Sequence, residues 1–93
     1  MITQEEAERV AAEFMGAPAD DAEYGWTMQE FHAGWLVIDK WDEGAPMPGA
    51  GSYVVERGSG RMLHFPSYIE PDQILADYDD VAGEGSPLAG PLR

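Results

Sequence analysis

The run Trp35-Leu36-Val37-Ile38, inside the stretch from Phe31 to Trp41, constrains this chain more than any other feature. It is the longest apolar run, and its β-branched and aromatic residues suit a pleated, half-buried surface. It is far too short to span a bilayer, so it reads as a central strand. After Ile38 the chain turns polar through Asp39, Lys40, Trp41, Asp42 and Glu43. An aromatic rimmed by acids at the end of a central strand reads as a contact surface rather than a core.

Upstream lies a helix over residues 2–15. Thr3 can cap it, Glu6 stands at the capping-box spacing, and Glu5 and Glu6 suit the positive end of the helix dipole. Ala7, Val10, Ala11 and Phe14 recur at helical spacing. Gly16 stops the helix and Pro18 keeps it from resuming. A hairpin follows, with strands at about 24–32 and 35–41 joined by Ala33-Gly34. That turn sets Phe31 opposite Leu36, Glu30 opposite Val37 and Trp26 opposite Trp41.

A second hairpin joins strands 52–57 and 61–66 through Gly58-Ser59-Gly60, with Gly60 left-handed. Placing Arg57 opposite Arg61 gathers Tyr53, Val55, Leu63 and Phe65 on one side. Pro71 and Asp72 open a second helix that runs to about residue 80. Its apolar side is Ile74, Leu75, Tyr78 and Val81. From Ala82 the chain is Gly/Pro-rich and reads as a flexible tail over 82–93.

The expected fold is α+β, in the order α-β-β-β-β-α. One domain, 1–81, would hold a four-stranded antiparallel sheet with both helices packed on one face. The consequence is a free reverse face carrying Trp26, Met28, Trp35, Val37, Trp41, Val54 and Met62. Few small proteins expose such a face without using it.

Charge narrows the function. Eighteen acids against five basic residues give a net charge of −13. Phosphate contacts need Lys and Arg, so direct nucleic-acid binding is disfavoured, as is an anionic membrane. A basic protein partner fits, because complementary fields speed encounter, though high net charge also serves solubility alone. No cysteine is present, so stability comes from packing without disulfides or thiolate zinc sites. The segment MITQEEAERV lacks the basic and apolar regions of a signal peptide, and a cytoplasmic location is expected.

No catalytic pattern stands out. Abundant acids destroy the signal of any paired carboxylates, and Ser52, Ser59 and Ser67 lack a nucleophile elbow. Gly58-Ser59-Gly60 has no following helix or lysine for a phosphate. His32 and His64 fall on different hairpins, so surface or packing roles are expected rather than a metal site. The reading is therefore a binding protein with no catalytic, cofactor or metal residues.

Several short blocks occur in a telling order. They are ITQEEAERVAAEF, Glu30-Phe31 with Gly34-Trp35, GSYVVERGSG at 51–60, and FPSYIEPDQILADY at 65–78. Together they resemble the YrhB-like immunity proteins, the immunity protein 35 type, of bacterial polymorphic-toxin systems. The resemblance covers about residues 2–80. It implies a small acidic antidote that binds and occludes a cognate toxin domain, and it supplies no catalytic residues. The competing reading is a general interaction or chaperone-like module with no toxin. The expected partner-binding residues are Trp41, Asp39, Asp42 and Glu43, widened by Trp26, Trp35 and Glu30. An open aromatic face would equally serve to pair two copies into a homodimer.

Overall fold

The structure, a computed structural model, describes residues 1–16, 18–21, 25–39, 52–66 and 68–88, and of Asp39 the backbone. Helix α1 spans Gln4–Met15. Thr3 caps it by accepting from the Glu6 N–H at 3.2 Å. Gly16, left-handed at φ 79°, closes it by donating its N–H to the Ala12 carbonyl. The cap, acidic first turn and glycine stop read from the sequence are all present.

Strands β1 (Trp26–Phe31), β2 (Gly34–Asp39), β3 (Ser52–Glu56), β4 (Met62–Phe65) and β5 (Ser86–Pro87) form one antiparallel sheet in sequential order. Helix α2 spans Pro71–Val81. A short 3-10 turn, Ala82–Glu84, leads from it into β5. Among the described residues the sheet thus has five strands, not four. The start of the expected tail turns back to pair Leu63 with Pro87 and His64 with Ser86. A two-residue strand has no alternation, and Gly/Pro content hides it.

The helices lie on opposite faces, which corrects the expectation of one shared face. Beneath α1, the buried residues Ala7, Ala11 and Met15 pack with Trp26, Trp35, Val37, Val55 and Met62. Beneath α2, Ile74, Tyr78 and Val81 pack with Leu36, Val54, Leu63 and Phe65. The physical reason is the second hairpin. Its loop holds four residues, Arg57 to Gly60, so that Glu56 rather than Arg57 faces Arg61. Val55 then pairs with Met62, and Val54 with Leu63. A one-residue slip moves side chains to the other face. Tyr53 and Val55 therefore join the tryptophan face, while Leu63 and Phe65 join the other. Each face is apolar, and each needs its own helix.

The first hairpin differs more gently. Its turn residues are His32 and Ala33, so Phe31 pairs with Gly34, Glu30 with Trp35 and Trp26 with Asp39. The two-residue shift in partners keeps every side chain on the face expected of it. Gly34 is not a turn residue. At φ 154° its position would set a Cβ 2.0 Å from the Val55 carbonyl oxygen and 2.9 Å from the Arg57 nitrogen. Only glycine lets the two backbones approach there.

Candidate partner-binding surface

The expected tryptophan surface is closed. Trp26 is 3% exposed and Trp35 1%. The small side chains of Ala7 and Ala11 let α1 lie close over both. Arg57 seals Trp35 further, its guanidinium carbon 4.6 Å from the ring centroid. The same guanidinium donates to Glu30 Oε2 at 2.9 Å and to the Phe31 carbonyl at 3.0 Å. Two of the expected contact residues are therefore core. Trp41, Asp42 and Glu43 lie outside the described residues, and of Asp39 only the backbone position, opposite Trp26, is given. Glu30 is the expected site residue that stands at the surface, near the hairpin end of the β1 edge.

Trp35 serves through volume and its stack with Arg57. Its indole N–H is buried with no acceptor among the described residues. An unsatisfied buried donor costs about 1–3 kcal/mol, so hydrogen bonding is not what places it here. The step Gly34-Trp35 in the sequence is thus a packing motif. Glycine brings β2 against β3, and the indole fills the space under α1.

A second cluster forms on the α2 face. Glu56 accepts from Ser59 Oγ at 2.7 Å, from Arg61 Nε and Nη2 at 3.1 and 2.9 Å, and from Tyr78 Oη at 3.0 Å. Burial pushes the Glu56 carboxyl up, but these hydrogen bonds and the Arg61 charge outweigh it and leave its pKa lowered. Burial, followed by the bond to Glu56, holds the Tyr78 phenol above its usual range. Sequence reading missed this cluster because the assumed register put Arg57 opposite Arg61. The alternating charges at Glu56, Arg57 and Arg61 were the available signal. The cluster ties α2 to the second hairpin.

The histidines are apart in role and place. His32 is exposed in the first turn, edge-on to Phe31, and His64 on β4 packs against Tyr53. Among the described residues no three His, Asp or Glu side chains converge as metal ligands. No described helix is long and apolar enough to cross a membrane.

The outer surface is strongly acidic. Glu5, Glu6, Glu8 and Glu13 are exposed on α1, and Asp72, Asp79 and Asp80 on α2. Arg57 and Arg61 are held in ion pairs. Arg9 on α1 is exposed, and Lys40 and Arg93 lie outside the described residues. Tyr68 is a large exposed aromatic at 72%, its hydroxyl donating to Glu84 at 3.1 Å. That bond and the Glu84 charge raise its phenol pKa.

Residues 5–85 match the immunity protein 35-like domain, and the chain belongs to that family. No curated protein and no solved structure matches it.

Proposed function

We propose that this protein is an antidote that binds a cognate toxin domain and occludes it. Membership of the immunity protein 35-like family over residues 5–85 is the observation that carries this reading. The acidic outer faces of both helices support it, because a −13 protein attracts and orients a basic partner. The reading assigns the protein no chemistry of its own: inhibition comes from covering the toxin's working surface. A homodimer is disfavoured on the same ground, since two copies would each bring −13 to the contact.

Asp39 and, in the sequence that follows β2, Trp41, Asp42 and Glu43 are retained as proposed contacts, together with Glu30. Trp26 and Trp35 act in support, as the core packed between α1 and the first hairpin. The test is co-expression of this chain with each protein encoded next to its gene, after that protein has been scored for toxicity alone. Rescue of growth with a stable co-purifying complex is expected. Rescue without a complex, or binding to several unrelated proteins and no toxin, would favour a general interaction module instead.

A further inference from the structure

The two edges of the sheet are unequal. At one edge stands β5, two residues long, and Pro87 has no N–H to offer. That edge is blunted in the way natural sheets avoid edge pairing. At the other stands β1, six residues long.

The direction of the β1 backbone groups follows from hydrogen bonds on either side of β2. The Arg57 N–H donates to the Ala33 carbonyl, so Gly34 and Glu56 form a non-hydrogen-bonded pair. The backbone groups of Gly34, Leu36 and Ile38 therefore point at β1, where they meet Phe31, Gln29 and Thr27. Trp26, Met28 and Glu30 must point the opposite way, out of the sheet. Trp26 agrees, since its N–H leaves the sheet to bond the Ala19 carbonyl at 3.1 Å. Beyond it, the N–H and C=O groups of Met28 and Glu30 face outward with no partner among the described residues. Thr27, Gln29 and Glu30 have exposed side chains, and Met28 is half-buried.

We infer that the β1 edge at Met28 and Glu30 is a docking site for an extended, cationic segment of a partner protein, which adds antiparallel as a sixth strand. Four outward backbone groups supply the affinity, and the flanking acids supply the sign. Asp20 and Asp21 lie at the Trp26 end and Glu30 at the other, while Arg57 is tied to Glu30. A second copy is the wrong occupant, because pairing β1 with β1 would join two −13 chains. Strand addition draws affinity from the main chain and selects side chains at alternate positions. Lysine or arginine facing Glu30 is the selected chemistry. Naming the partner as a toxin rests on the immunity reading, whereas the edge itself does not.

The test uses a disulfide-closed hairpin peptide whose free edge alternates lysine with valine, added to the full chain. Exchange of individual amides is followed by NMR. In the free protein the Met28 and Glu30 amides should exchange fast, and Thr27 and Gln29 slowly. The hairpin should slow Met28 and Glu30 by about tenfold or more and leave Gln29 unchanged. A hairpin N-methylated along its free edge, or carrying glutamate for lysine, should not do so. Three results would overturn the inference: no binding of the lysine hairpin, equal binding of the N-methylated one, or a free protein that dimerises with Met28 and Glu30 already protected. Because the hairpin replaces the toxin, failure here leaves the antidote reading standing, and failure of toxin rescue leaves this edge intact.

Discussion

The two faces of the sheet solve the same problem with different materials. The α1 face is filled by large aromatics under a helix of small residues: Trp26 and Trp35 lie beneath Ala7 and Ala11. The α2 face is filled by aliphatic residues and Phe65 under Ile74, Tyr78 and Val81. The α1 face carries its polar closure as a lid, Arg57 stacked over Trp35 and paired to Glu30. The α2 face carries its closure as a hub, with Glu56 gathering Ser59, Arg61 and Tyr78. Both faces are spent on folding. Among the described residues, what remains for a partner is the acidic exterior and the β1 edge.

If both faces are core, truncating either should be severe. Trp35→Ala and Phe65→Ala should each cost about 3–5 kcal/mol in urea unfolding, the usual range for large buried aromatics. A mild Trp35→Ala would break the comparison by making the α1 face a surface. Gly34→Ala comes next. A Cβ at φ 154° and 2.0 Å from the Val55 oxygen cannot be accommodated without parting β2 from β3. A loss of about 3 kcal/mol or more is expected, since the backbone strain and the clash add. Gly58→Ala, where a Cβ meets nothing within 4 Å, is the control and should be near neutral.

The hub gives the smaller effects. Tyr78→Phe removes one hydrogen bond to Glu56 and should cost about 0.5–1.5 kcal/mol near neutral pH. The sign with pH follows from the lowered Glu56 pKa. Its ionised form is favoured by folding, so its contribution is complete above the unfolded carboxyl pKa. It is lost as pH falls through the folded value. Tyr78→Phe should weaken that acid dependence, measured as the unfolding midpoint against pH. A lid variant, Arg57→Met, keeps an apolar stem over Trp35 and loses the guanidinium with its bonds to Glu30 and the Phe31 carbonyl. It should change stability by about 1 kcal/mol or less, as expected for a partly exposed pair.

Much of the fold was legible because its signals are local. Thr3, Glu6 and Gly16 mark the ends of α1 within a few residues of themselves. Pro71 marks the start of α2, and the four longer strands sit where apolar runs stand between glycines. Gly60 is left-handed, at φ 73°, as its turn demands. What escaped depends on counting or on distant chain. A loop of three residues and one of four look alike in Arg57-Gly58-Ser59-Gly60, yet they send Val55 to opposite faces. Gly34 reads as a turn glycine, but its reason is the approach of β3 from another hairpin. The Glu56–Tyr78 bond joins residues far apart in sequence and needed the correct register to be foreseen. Of the expected contact residues, Glu30 stands at the edge, while Trp26 and Trp35 are packed inside, because burial depends on which face each helix covers.

The direct test of the sealed-face account is collisional quenching of tryptophan fluorescence. Trp41→Phe leaves Trp26 and Trp35 as the only indoles. The account predicts blue-shifted emission and slow quenching by acrylamide in the folded protein, with both lost together on unfolding. Red-shifted emission that acrylamide quenches freely in the folded state would show that helix α1 does not cover its face, and would contradict it.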